Sequence, residues 1–133
     1  MSAFERASIV TTMRVQLVKE FGFEAAHSLP HAPEGHKCRR LHGHSFRVEV
    51  VLEGEVDPDK GWFIDYGDIL DVVKPIVDDN LDHRFLNEVP GLENPTSEVL
   101  SRWLWDRIRP RLPALAEIVV RETCTVACRY RGD

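Results

Sequence analysis

Five of the six histidines, His27, His31, His36, His42 and His44, fall between residues 27 and 44, and only His83 stands apart. His42-Gly43-His44 is the pair whose spacing could do chemistry. On a strand, residues i and i+2 project to one side with their backbones roughly 6–7 Å apart. Two imidazoles so placed can converge on one ion, and Gly43 leaves the opposite face clear. His27 closes the preceding strand-like segment and is the natural third ligand. Zinc sites that perform reactions commonly use three protein ligands and keep the fourth position open. Without an ion, three inward-facing imidazoles would each need buried partners of their own. His31 and His36 lie in a Pro/Gly loop beside Lys37, Arg39 and Arg40, where a solvated role is the default.

Four further signals bear on chemistry. Cys38 precedes His42 by four residues and is flanked by Lys37, Arg39 and Arg40, cations that can lower a thiol pKa and favour a base or nucleophile. A small buried hydrophobe, or a fourth zinc ligand closing the site, are its other readings. Asp82-His83 offers a carboxylate to orient a ring for proton relay, although neighbours on a regular element do not face each other. Glu122 shares a face with Ile118, Val120, Cys124 and Val126, where an unpaired carboxylate is costly. A ligand with two parallel N–H donors, such as an amino-pyrimidinone edge, would match it; the alternative is a strand-end glutamate reaching solvent or an intrachain Arg. Cys124 and Cys128, if on one strand, are about 13 Å apart and cannot share a metal. Core packing is the favoured reading for them, unless a tight turn intervenes.

The elements that must position these groups follow from periodicity. Apolar residues at odd positions from Arg14 to His27 mark one strand, with His27 on the inner face. Even positions Phe46, Val48, Val50 and Leu52 mark a second strand from His42 to about Val56, carrying His42 and His44 inward. Asp57-Pro58-Asp59-Lys60-Gly61 reads as a turn. Asp65 caps a helix with the stripe Ile69, Val72, Val73, Ile76 and Val77, in which Pro75 predicts a kink or irregular turn. Asn94 as N-cap and Pro95 at the first position start a second helix, with Val99, Leu100, Trp103, Leu104 and Ile108 inward. Glu117 to Tyr130 reads as one long strand or two short ones. The plan is α+β: an antiparallel sheet with two helices on one face. Residues 1–12 carry little pattern and read as a loose end, leaving 13–133 as a single domain.

Composition narrows the classes. The chain of 133 residues is 43% hydrophobic and 29% charged, a globular balance. Seventeen Lys and Arg against twenty-two Asp and Glu give a net charge of −5. That excess opposes nonspecific nucleic-acid binding, which rests on phosphate neutralisation. No apolar run approaches the roughly 20 residues of a membrane span. Glu5 and Arg6 break any signal-peptide pattern. With three cysteines and no disulfide framework, the expectation is a soluble cytoplasmic protein.

Taken in order, Phe23-Glu24-Ala25-Ala26-His27, Cys38-Arg39-Arg40-Leu41-His42-Gly43-His44, Leu81-Asp82-His83, Asn94-Pro95-Thr96-Ser97-Glu98 and Glu122-Thr123 resemble the motifs of the 6-pyruvoyltetrahydropterin synthase superfamily. Within that superfamily, Cys-x3-His-Gly-His combined with Pro-Thr-Ser-Glu and a terminal Cys-x3-Cys-x-Tyr-Arg-Gly is most similar to the bacterial 6-carboxytetrahydropterin synthases, which serve queuosine and deazapurine biosynthesis. The resemblance implies a tunnelling fold, in which ββααββ subunits close a barrel on assembly into a homohexamer, with active sites between subunits. It implies zinc on His27, His42 and His44, and 7,8-dihydroneopterin triphosphate as substrate. It also implies Cys38 as proton-abstracting thiolate, Asp82 and His83 as relay, and Glu122 as pterin anchor with Thr96 and Ser97 beside it. Lys37, Arg39 and Arg40 are the candidates for the triphosphate.

Overall fold

A computed structural model describes residues 12–133, so the expected loose segment 1–12 lies, Thr12 apart, outside the described residues. Strand β1 spans Arg14–His27 and β2 spans His42–Glu55. Helix α1 covers Tyr66–Asn80, and a two-residue strand β3, Arg84–Phe85, follows it. Helix α2 covers Ser97–Ile108, then β4 runs Leu115–Thr123 and β5 Val126–Tyr130. The sheet order is β3-β1-β2-β4-β5.

β1 and β2 pair antiparallel without interruption from Arg14↔Glu55 to His27↔His42. Phe21 lies opposite Val48, Phe23 opposite Phe46 and Ala25 opposite His44, so the two alternating patterns meet on one face. That face is buried beneath both helices: Phe46, Val48, Val50, Leu52, Ile69, Val73, Leu100 and Leu104 belong to one apolar cluster and are essentially inaccessible. Each such aliphatic or aromatic side chain contributes about 1.5–3 kcal/mol by burial. The last segment is two short strands joined by a turn, and β4 packs against α2.

Three expectations are corrected. The sheet is mixed, because β3 pairs parallel to β1 through Ala25↔Arg84 and Ala26↔Phe85. Helix α1 runs unbroken through Pro75, which faces solvent, so the carbonyl it leaves unpaired can be hydrated. Helix α2 starts at Ser97 with Thr96 as N-cap, whose hydroxyl accepts the Val99 N–H at 3.1 Å. A tight turn, Thr96 N–H to Asn94 C=O at 2.9 Å, keeps Pro95 outside the helix. The reason for the shift is visible at the site: the Pro95 carbonyl is engaged by His27.

Candidate metal centre and its surroundings

His27 is wholly buried at the end of β1. Its Nδ1–H donates to the Pro95 carbonyl at 2.9 Å, while Nε2 is buried without a partner among the described residues. An orphaned acceptor of this kind costs about 1–3 kcal/mol, which an ion would offset. On β2, His42 donates Nδ1–H to the Arg40 carbonyl at 2.8 Å. Because a carbonyl can only accept, Nδ1 carries the proton in both rings, which leaves Nε2 as the nitrogen that can ligate, the arrangement by which outer hydrogen bonds prepare histidine ligands. The three rings are mutually edge-on, with centroids 4.6 Å apart for His27–His42, 5.1 Å for His27–His44 and 4.9 Å for His42–His44. One nitrogen from each lies within 4.8 Å of the others. Burial lowers the pKa of His27, opposed by the Pro95 hydrogen bond, and that of His44, with neighbouring imidazoles adding to both, so these two rings favour the neutral form that can ligate. The residues fit a divalent ion, and His27, His42 and His44 could hold it.

Around this cluster the structure gathers most of the other candidates. Glu122 Oε2 lies 4.0 Å from His44 Nε2. Burial raises the Glu122 pKa, opposed by His42 and reinforced by the carboxylate of Glu98. With burial disfavouring charge on both partners, this approach is proximity rather than an ion pair. Thr96 keeps its hydroxyl proton for a further acceptor, while Ser97 donates its own to Glu98 at 2.8 Å.

Asp82 and His83 do face each other. His83 has φ 58°, a left-handed conformation uncommon for a side-chain-bearing residue, and this turns its ring back onto Asp82. His83 Nδ1 lies 3.0 Å from Asp82 Oδ2. The pair is held by one residue of β1: the Glu24 N–H donates to Asp82 Oδ1 at 3.0 Å, and the His83 N–H donates to the Glu24 carbonyl at 2.6 Å. These hydrogen bonds keep the Asp82 carboxyl below the usual carboxylate range. An open concavity of about 540 Å³ lies beside His83, lined by Glu24, Gly43, His44, Ser45, His83 and Phe85 among others, with neither His27 nor His42 in its wall.

Cys38 is half-buried in a single 3-10 turn, Lys37–Arg39, between β1 and β2. Its carbonyl accepts the Leu29 N–H at 2.8 Å, which ties it two residues beyond His27. Lys37, Arg39 and Arg40 are exposed, and Arg39 Nη1 donates to the Ala32 carbonyl of its own loop at 3.4 Å. Cys124 is exposed and Cys128 only half-buried opposite Val120, so core packing is corrected for both: the β4–β5 turn lifts Cys124 out of the inward alternation. Among the described residues they join no metal-competent group. Sequence reasoning missed Glu24 and Pro95, which act through backbone atoms that carry no residue-type signal. It also missed Glu98, which falls beside Glu122 only in three dimensions.

The fold and site together define an α+β subunit with three inward, metal-competent histidines on paired strands and a clamped Asp-His pair. Residues 16–133 match the family described as 6-pyruvoyl tetrahydropterin synthase, and the chain belongs to that family. It is 44% identical over 119 residues to the 6-carboxy-5,6,7,8-tetrahydropterin synthase of Synechocystis, covering 86% of this chain and 91% of that one. It is 38% identical over 101 residues to the dihydroneopterin monophosphate aldolase of Pyrococcus furiosus, covering 76% and 81%. Its fold superposes on the 6-pyruvoyl tetrahydropterin synthase of Caenorhabditis elegans with a TM-score of 0.83 at 25% identity, covering 94% of this chain and all of that one. The chain is thus a pterin-biosynthesis enzyme of lyase type built on the tunnelling-fold subunit. No helix among the described residues is long and apolar enough to cross a membrane.

Proposed function

We propose that this protein is a zinc-dependent 6-carboxytetrahydropterin synthase, converting 7,8-dihydroneopterin triphosphate and water to 6-carboxy-5,6,7,8-tetrahydropterin, acetaldehyde and triphosphate for queuosine and deazapurine biosynthesis. The observation that carries this reading is the convergence of His27, His42 and His44 around a buried nitrogen without a partner among the described residues. The 44% identity to the Synechocystis enzyme supports the specific reaction. Zinc held by the three histidines would act as a Lewis acid, acidifying the substrate side-chain hydroxyls and the adjacent C–H.

The chain's own residues do the rest. Cys38, as thiolate, accepts a proton from the substrate side chain. His83 delivers and removes protons, its Nδ1 held by the Asp82 carboxylate so that Nε2 is the working nitrogen. Glu122 accepts two N–H donors from the amino-pyrimidinone edge, a bidentate match that fixes the ring. Thr96 donates its free hydroxyl proton to the ring and Ser97 supports it. Lys37, Arg39 and Arg40 face the triphosphate; Arg39 must first release the Ala32 carbonyl. Three cysteines without a disulfide among them agree with a cytoplasmic location.

The working unit in this reading is the domain 13–133 assembled as a homohexamer. β3 covers only Ala25 and Ala26 on the outer edge of β1, and an assembly that pairs the remaining edge residues closes the barrel. Mass analysis of products from the zinc-loaded protein, with acetaldehyde trapped in parallel, tests the reaction. A 6-carboxypterin with equimolar acetaldehyde supports it. The fold shared with the Caenorhabditis elegans synthase favours the second reading, triphosphate elimination without carbon–carbon cleavage. A 6-pyruvoyl product without acetaldehyde would establish that instead.

A further inference from the structure

His36 is an exposed loop histidine to which the proposed chemistry gives no part, yet its ring makes a specific contact. Its backbone is extended, φ −69° and ψ 134°, immediately before the 3-10 turn that carries Cys38. Its Nδ1 accepts the Cys38 N–H at 3.1 Å. The first N–H groups of a helical turn have no partner within it, and a side-chain acceptor at the cap position supplies one. Histidine is not among the usual caps, which are Ser, Thr, Asp and Asn.

The rest of the loop shows what this cap completes. The Cys38 carbonyl accepts from Leu29 N–H at 2.8 Å, so with His36 in place both backbone polar groups of Cys38 are tethered. The Leu29 tether leads back to His27 at the end of β1. On the other side, Arg40 N–H donates to the Lys37 carbonyl at 3.1 Å, and the Arg40 carbonyl holds the ring of His42 at 2.8 Å. The His36 N–H is itself fixed by the Pro33 carbonyl at 2.9 Å. The loop is thus tethered between two ligands of the metal group, with Cys38 at its centre and His36 supplying the acceptor for the Cys38 N–H.

We infer that His36 is a positioning residue for Cys38: its Nδ1 caps the Lys37–Arg39 turn and fixes the orientation from which the Cys38 thiol works. This rests on the proposed role of Cys38 in proton abstraction. The ring contributes by geometry and makes no contact with substrate. Misplacing a reacting group by about 1 Å can cost on the order of 100-fold in rate. Loss of one tether of two is expected to lower kcat about 10-fold, with KM within about 2-fold.

The test uses the zinc-loaded assembly and three variants. Asn places Oδ1 at the same distance along the side chain as histidine Nδ1, so H36N restores the cap. H36Q places its acceptor one atom further out, and H36A has none. The expected result is wild-type kcat in H36N and an about 10-fold loss in H36A and H36Q. A matching change should appear in the alkylation rate of Cys38, read by peptide mass spectrometry, which also resolves Cys124 and Cys128. Zinc content should be equal in all four proteins. Alkylation unchanged in H36A, or H36Q matching wild type while H36N fails, would overturn the proposal. C38A separates the two readings. If it retains full turnover, the role of Cys38 falls, while the alkylation series still decides whether His36 orders the thiol.

Discussion

Replacing His27 by Leu tests the metal group most directly, because the structure predicts two opposing effects that nearly cancel without metal. The His27 ring is wholly buried, with one nitrogen bonded to Pro95 and the other unpartnered among the described residues. Leu removes the orphaned Nε2, a gain of about 1–3 kcal/mol, and strands the Pro95 carbonyl, a loss of about the same size. The metal-free variant should therefore melt within a few degrees of the metal-free parent. With zinc at about 100 times Kd, the parent gains roughly 2.7 kcal/mol by mass action. At about 2.1 cal/mol/K per residue, this chain has an unfolding entropy near 0.28 kcal/mol/K, so the gain raises Tm by roughly 10 °C. In H27L most of that rise should disappear. Scanning calorimetry of four samples, parent and variant with and without zinc, reads both quantities. A variant that keeps the full zinc-dependent rise would show that His27 is not a ligand. A metal-free loss above about 4 kcal/mol would show that Nε2 already had a partner. The sign of the pH dependence follows from the lowered His27 and His44 pKa values. Below the ordinary value of 6.5 the unfolded chain binds protons that the folded rings refuse, so metal-free stability falls as pH drops from about 6.5 towards the folded values.

Two further substitutions probe the framework. A Cβ on Gly54 would lie 2.1 Å from Cε1 of Phe63, so G54A must displace that ring and should cost about 1–3 kcal/mol by denaturant unfolding. G22A, whose new Cβ meets nothing nearer than the Phe46 carbonyl at 3.6 Å, is the strand control and should cost less; equal losses would refute the steric account. D82N removes a carboxylate whose folded pKa is held down by the Glu24 N–H and by His83. Its stability deficit relative to the parent should be full above about pH 4 and close as pH falls through the folded value of the parent, and a deficit independent of pH would contradict that assignment.

Period-2 alternation located β1 and β2 almost to the residue, because a strand with one buried face cannot slip without exposing that face. It also sided His27, His42 and His44 correctly, since their burial follows from the same alternation as Phe21, Phe23 and Phe46. The Asp65 cap was legible for a similar reason: its Oδ1 accepts from Gly67 N–H within the local sequence. What stayed hidden depended on distant partners. β3 exists because Glu24 and Ala25 offer an edge to residues 83–85. The start of α2 moves to Ser97 because His27 claims the Pro95 carbonyl. Burial on the second sheet face was also invisible: Val119 is buried, and so is Glu117, which binds Arg129 at 2.9 Å and Arg131 at 2.9 Å. The alternation of β4 speaks only for the face of Ile118, Val120 and Glu122, and the arginines that cover Glu117 arrive from the later residues 129 and 131.

The clamp on Glu24 has a consequence for the order in which the chain matures. The β1–β2 hairpin brings the three histidines together through contacts spanning fewer than twenty residues of loop and turn, whereas Asp82 reaches Glu24 across a sequence separation of 58. Closing the longer span costs additional chain entropy and waits for α1 to dock. A nascent or partly melted chain can therefore set its three histidines side by side before its acid–histidine pair exists and before Pro95, 68 residues on, has oriented His27. Such a species would sequester metal while remaining inert, and metal content alone would overestimate the active fraction of any preparation.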